Sequence, residues 1–159
     1  MVLDVDGVIA DVRHRLGFVE RRPKDWDAFF AKMDDDDLLP EGLDVALAAV
    51  EAGHAVLYLT GRNESYRDVT QAWLRRHGLP EGPLVMRGEA DRRPARLFKP
   101  DALRRIARAA EVVQVVDDDD AVVQVLRQAG WPVRHATWMT AGDTGQQSLF
   151  EAQEIDGRS

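Results

Sequence analysis

Apolar residues in this chain fall into short blocks separated by stretches in which they recur every three or four positions. Residues 1–5 (MVLDV) form the first block, turn at Gly7, and predict a strand. Residues 11–39 are polar and aromatic, and Asp25 is placed to cap a short helix bearing Trp26, Phe29, Phe30 and Met33. Residues 40–52 suit a helix, with Leu43, Leu47 and Val50 at helical spacing. A buried strand follows at 54–59 (HAVLYL), then an amphipathic helix over 63–77 that stops at Gly78. Further strands are predicted at 83–86 (PLVM), 112–116 (VVQVV) and 132–135, and further helices at 100–110 and 119–129.

This alternation predicts an α/β fold: a doubly wound, mostly parallel sheet of about five strands with helices on both faces. Ligands of such sheets bind beyond the carboxyl ends of the strands, so the chemistry is to be sought there. Residues 1–140 read as one domain, with 11–39 as a small loop-and-helix insert. Residues 141–159 read as a polar, turn-rich tail that we expect to be partly disordered. The first strand starts abruptly at Met1, which leaves room for residues upstream. No internal repeat or linker is evident.

At 159 residues, 45% hydrophobic and 31% charged, the chain can enclose a single core. It has no cysteine, which excludes disulfides and thiolate metal sites. No apolar run has the length of a membrane span and no export signal is evident, so the expected compartment is the cytoplasm. A net charge of -7 weighs mildly against a surface coated for nucleic acid. Arg87, Arg92, Arg93, Arg96, Lys99, Arg104, Arg105 and Arg108 are nevertheless gathered within 22 residues. The acidic runs at 34–37 and 117–120 read, for most of their charges, as solvated surface.

Four stations at strand ends carry candidate chemistry. Asp4 and Asp6, one residue apart after the first strand, can place a carboxylate and a backbone carbonyl around one hard cation, while Gly7 lets the chain turn. The same pair serves equally well to cap a turn. Thr60, Gly61 and Arg62 offer a hydroxyl, backbone N–H groups and a planar fork suited to phosphate; equally, Thr60 caps a helix and Arg62 is a surface charge. Lys99, just ahead of a predicted helix, matters only if it points back to the sheet edge. Asp117 and Asp118 close the strand 112–116, which, if buried, would deliver the remaining metal ligand to that edge, with Asp119 and Asp120 in the first helical turn.

Taken in order, DVDGVIAD, LTGR, Lys99 and VVQVVDDD resemble the four motifs of haloacid dehalogenase superfamily phosphatases, over most of the chain. The segments LTGRNESYRDVTQAWLRRHGLP and DDDDAVVQVLRQAGWPV are similar to the phosphatase domain of polynucleotide kinase/phosphatase repair enzymes. The resemblance implies Asp4 as nucleophile through an aspartyl-phosphate and Asp6 as general acid and base. It also implies Mg2+ held by Asp4, the Asp6 carbonyl and one or both of Asp117 and Asp118, with Asp118 preferred. Thr60, Arg62 and Lys99 would stabilise the phosphoryl group, with Gly61 and either Arg13 or Arg15 on the substrate. The kinase motif GxxxxGK[ST] is missing, so no phosphorylating activity is implied.

Only 28 residues separate Asp11 from Pro40 and only 12 separate Met86 from Lys99, too few for a full lid at either position. An open site favours a polymer end, so the expected substrate is a 3'-phosphorylated DNA or RNA end. Arginines 87 to 96 would track its backbone, and Trp26 would stack on a base or pack in the core. The alternatives are a phosphatase for nucleotides or other small metabolites, and a catalytically silent magnesium-binding domain. A kinase or ligase partner is compatible with this reading. A receiver domain of two-component signalling has similar parts, but its paired acids come early and its lysine last, the reverse of the order here.

Overall fold

A computed structural model of the chain describes residues 1–139. The first strand, β1 (Val2–Leu3), is followed by a hairpin-like pair, β2 (Ala10–Asp11) and β3 (Asp37–Leu38), which brackets helices α1 (Arg13–Glu20) and α2 (Trp26–Ala31) and a 3-10 turn at Met33–Asp35. Then come α3 (Pro40–Glu51), β4 (Leu57–Asn63), α4 (Arg67–Arg76), β5 (Leu84–Arg87), α5 (Ala95–Ile106), β6 (Val115–Asp117), α6 (Asp120–Gln128) and β7 (Val133–His135). Five of the strands form one parallel sheet in the order β5-β4-β1-β6-β7, the expected doubly wound α/β arrangement. The predicted tail, 141–159, lies outside the described residues. Among the described residues no helix is long and apolar enough to cross a membrane.

The period-two alternation of the strands divides the core. Leu3, Tyr58 and Val116 face one side and pack on Val45, Ala46 and Ala49 of α3 and Trp73 and Leu74 of α4. Their neighbours Val2, Leu59 and Val115 face the other side and meet Phe98, Ala102 and Leu103 of α5 and Val122 and Leu126 of α6. The insert between β1 and α3 has a third cluster of its own, in which Val12, Leu16 and Val19 pack with Phe29, Phe30 and Met33. Trp26 belongs to this cluster, edge-on to Phe29 at 5.8 Å, so core packing accounts for it.

Three differences from the sequence reading bear on packing and on the site. In α3 the buried face is Gly42, Val45, Ala46 and Ala49, while Leu47 and Val50 are 43% and 49% exposed. Small residues win that face because the helix lies directly on backbone: a Cβ on Gly42 would stand 2.1 Å from the Val8 carbonyl oxygen. Helix α5 begins at Ala95, after Pro94, and carries Pro100 in its interior, so Lys99 is inside the helix and not ahead of it. Of the two prolines, Pro94 is the one at the N-cap, where its carbonyl accepts from the N–H groups of Leu97 and Phe98. Strand β4 runs through Thr60, Gly61 and Arg62 to Asn63, with a register irregularity against β5 between Leu59 and Asn63.

Gly42→Ala is therefore expected to lower the unfolding free energy by about 2 kcal/mol, since the new methyl meets fixed backbone. Leu47→Ser on the outer face should cost less than about 0.5 kcal/mol. Chemical denaturation of both variants measures the contrast, and comparable losses would contradict the assignment of faces.

Candidate active site

The carboxyl ends of β1, β4 and β6 meet at one edge of the sheet, and each delivers charge there. After β1 the chain turns tightly, with the N–H groups of Val8, Ile9 and Ala10 all donating to the Val5 carbonyl. That turn buries both Asp4 and Asp6. Asp4 Oδ1 accepts from the Val5 N–H at 2.8 Å, and Lys99 Nζ donates to Asp4 Oδ2 at 2.8 Å and to Asp117 Oδ2 at 2.6 Å. Lys99 thus reaches back from α5 to the sheet edge, the orientation on which its interest depends.

Beyond β6, Asp117 Oδ1 accepts from the Asp119 N–H at 3.1 Å, so both oxygens of Asp117 are engaged within the protein. The carboxylate of Asp118 is buried and neither of its oxygens has a hydrogen-bond partner among the described residues. It leans over Gly7, where a Cβ would stand 2.0 Å from Asp118 Oδ2; glycine is required there by space and by a φ of +77°. Asp4, Asp117 and Asp118 each offer an oxygen within 4.8 Å of the others, a donor set of hard oxygens suited to a magnesium-sized cation. Asp119 is the N-cap of α6 and accepts from the N–H groups of Ala121 and Val122. The acidic run 117–120 is therefore not solvated surface: its first three members are buried.

A second charged group adjoins the first. Arg62 Nη2 donates to Asp6 Oδ1 at 2.6 Å, and its Nη1 donates to Thr70 Oγ1 at 3.2 Å. Arg15 Nη2 donates to the same Asp6 oxygen at 3.0 Å. Both arginines also reach Asp36: Arg15 Nε at 2.7 Å, Arg15 Nη2 at 2.9 Å and Arg62 Nη2 at 3.0 Å. Of the two arginines offered by the sequence, Arg15 is the one brought to the site. Arg13 is 45% exposed at its side chain and pairs with Asp11 at the surface. Thr60 is buried and accepts from the Arg62 N–H at 3.2 Å; Gly61 is buried between them.

Asp36, Thr70 and His14, which also contacts Asp36 at 2.8 Å, are the site's members that sequence reading missed. Asp36 stands in a run of four aspartates taken for solvated surface, and its neighbours Asp34, Asp35 and Asp37 are indeed exposed. The one available signal was spacing: in a 3-10 turn residues three apart eclipse, and Met33 and Asp36 both point inward. The arginines expected to track a polymer also need correction. Arg87 is buried, with Nη1 donating to the Arg93 carbonyl at 2.7 Å, and Arg93 is tied to Asp91 and Asp101. Of the four, Arg92 and Arg93 are exposed and Arg96 is half-buried.

Residues 1–137 match the family model described as the polynucleotide kinase PNKP phosphatase domain. The chain belongs to that family. It is a phosphatase of the haloacid dehalogenase superfamily, with the fold expected of one. A chain in the structure of a Pnkp1/Rnl/Hen1 complex is 25% identical with a TM-score of 0.72 over 86% of this chain and 44% of its own length. This phosphatase therefore spans less than half of that relative. The fold alone is shared with a class C acid phosphatase from Bacillus anthracis with tungstate bound (14% identity, TM-score 0.64, 95% of this chain and 77% of that one). The same holds for a D,D-heptose bisphosphate phosphatase from B. bronchiseptica complexed with magnesium and phosphate (22% identity, TM-score 0.52, 99% and 89%). No curated protein sequence matches the phosphatase.

Burial sets the proton affinities of the site. It pushes the Asp4 carboxyl up to about 7, against the pull of Lys99, and pushes Asp118 well above the ordinary range, with Asp4 and Asp117 adding repulsion. Burial also works against ionised Asp6, but Arg62 and Arg15 outweigh it and hold Asp6 below its ordinary value. For Lys99 the sign is the same: burial opposes its charge, and Asp117 and Asp4 more than restore it. Carboxyls raised in the folded state bind protons that the unfolded chain releases near its ordinary value, so their ionisation works against folding. Stability without metal is then expected to fall as pH rises from about 4 to about 7, the interval between ordinary Asp4 and folded Asp4. Asp118→Asn should raise the melting temperature in EDTA at pH 7.5 by at least about 3 °C, and should weaken the stabilisation that magnesium gives. Thermal melts across pH, with and without the metal, check both signs.

Proposed function

We propose that this phosphatase removes 3'-phosphates from polynucleotide ends through a phosphoryl intermediate on Asp4, with magnesium as cofactor. The observation that carries the reading is the buried trio of Asp4, Asp117 and Asp118, in which Lys99 engages two members and leaves the third with both oxygens open. An unpartnered carboxylate pair of lone-pair oxygens, costly in a dry interior, fits a cation as its partner. Asp4, Asp118 and the Asp6 backbone carbonyl would hold it, while Asp117 fixes Lys99. Magnesium, when bound there, supplies neutralising charge and orientation for the phosphoryl oxygens.

The protein's own groups do the rest. A carboxylate oxygen of Asp4 attacks phosphorus as the ester P–O bond breaks, and the departing oxygen takes a proton from Asp6. Asp6 then removes a proton from water, water oxygen attacks phosphorus, and the bond to Asp4 breaks to release inorganic phosphate. As placed here, Arg15 and Arg62 hold Asp6 ionised, so the acid role requires phosphoryl oxygens to share those guanidiniums. Thr60, Gly61 and Arg62 face the transferred group from β4, and Lys99 counters the burial that raises Asp4 and neutralises its charge when ionised.

The family and the access to the site support this choice of substrate. The insert, 11–39, is occupied with its own core and with the arginines, and the loop between β5 and α5 is short, so among the described residues the edge has no separate lid domain. A chain similar to this one is found in an RNA repair complex with Rnl and Hen1, which favours a polynucleotide end and a role beside a strand-joining partner.

Asp4→Asn is expected to abolish turnover in a folded protein, and EDTA to silence the wild type until magnesium is restored. Arg62→Ala should cost about 10²-fold in kcat on every substrate, as for one lost electrostatic stabiliser. A 3'-phosphorylated oligonucleotide should outcompete 5'-phosphorylated ones and free mononucleotides, and Arg92→Ala should lower its salt slope by about one. Preference for mononucleotides with no salt slope would make the protein a small-molecule phosphatase instead.

A further inference from the structure

Asp36 belongs to none of the motifs that carry the chemistry, yet the positions of both arginines depend on it. Asp36 is 2% exposed, and its carboxylate accepts from Arg15 Nε, Arg15 Nη2 and Arg62 Nη2, with His14 Nε2 at 2.8 Å on the outer side. The backbone carbonyl of Asp36 accepts from Trp73 Nε1 at 2.9 Å, which ties the residue to α4. A guanidinium is a rigid fork on a flexible stem, so its direction is fixed only when two edges are held. Arg62 is held by Thr70, Asp6 and Asp36, and Arg15 by Asp6, Asp36 and the ring of Phe29, 4.3 Å from its Cζ.

Without Asp36, two buried guanidiniums would share the single carboxylate of Asp6, and each would lose one of its restrained edges. With Asp36, one donor is left over: Arg15 Nη1 is buried and has no hydrogen-bond partner among the described residues. A buried orphan donor beside Asp6 suits an anionic ligand oxygen. We propose that Asp36 is a positioning residue of the phosphatase reaction, holding Arg15 and Arg62 side by side so that their guanidiniums meet the phosphoryl group at Asp4. It acts through the arginines and touches no reacting atom. The proposal rests on the reading above that these arginines serve the phosphoryl group.

The test uses the full chain with magnesium and two substrates, a 3'-phosphorylated oligonucleotide and p-nitrophenyl phosphate. Asp36→Asn is nearly isosteric and keeps the backbone carbonyl that Trp73 uses. It should lower kcat by about 10²-fold on both substrates, the scale of a misplaced catalytic group, while KM changes less than about threefold. In the Arg15→Ala/Arg62→Ala double background the same change should cost no more than about a further twofold, because both groups being positioned are gone. A residue that merely staples the insert to the sheet would instead multiply its loss onto that of the double background, and that result overturns the proposal. Loss in Arg62→Ala beside wild-type kcat in Asp36→Asn also overturns it, leaving the function intact; wild-type kcat in both Arg62→Ala and Arg15→Ala removes the underlying reading and the proposal together. Should Asp36→Asn unfold, Trp73→Phe loosens Asp36 without removing its charge. That variant should lose about threefold in kcat at unchanged KM, and unaltered kcat would then count against the proposal.

Discussion

The rest of the structure depends on keeping charge balanced where water is excluded. At one sheet edge Asp4, Asp6, Asp36, Asp117 and Asp118 are buried with Arg15, Arg62 and Lys99, five carboxylates against three cations. The two further buried ions nearby, Asp119 and Arg87, are of opposite sign and leave the difference unchanged. A buried ion costs several kcal/mol unless it is paired and hydrogen-bonded, so the pattern of pairing is informative. The arginines are matched by Asp6 and Asp36, and Lys99 by Asp4 and Asp117. The shortfall of two falls once on Asp118, over Gly7, and once on the group where Lys99 alone meets Asp4 and Asp117, and together it has the size of one divalent cation. The raised proton affinities of Asp4 and Asp118 express the same imbalance: protons would fill it if nothing else did.

Much of this was legible because strand ends in a doubly wound sheet converge on one edge whatever the loops between them do. The residues just past the apolar blocks, Asp4 and Asp6, Thr60 to Arg62, and Asp117 and Asp118, could be placed without any knowledge of packing. Lys99 was recognised by its place in a motif order and misplaced locally, since Lys-Pro reads as a helix start while the helix begins one turn and more upstream at Ala95. The face of α3 was misread for a related reason. Apolar periodicity marks Leu43, Leu47 and Val50, but the interface is a close backbone approach at Gly42, and close approach selects small residues over greasy ones.

Asp36 was illegible on different grounds. Local sequence gives four consecutive aspartates one meaning, and only the tertiary fold separates them. The 3-10 turn at Met33–Asp35 aims Asp36 inward beneath Trp73 of α4, a contact 37 residues away in sequence. The same long range applies to Arg15: nothing near it distinguishes it from Arg13, and the choice is made by Phe29 below it and Asp36 beside it.

The insert between β1 and α3 is therefore better understood as a support for the site than as a small cap. Its aromatic cluster provides the apolar wall on which Arg15 lies, and its last turn supplies the carboxylate shared by both arginines. Building that support from residues 11–39 leaves none of them to fold over the edge as an independent lid. Enzymes commonly obtain rigid catalytic groups and exclusion of water together, by closing a lid. Here rigidity is obtained from below, through buried ion pairs that need no closure. An edge organised in that way can stay open to a substrate too large to enclose.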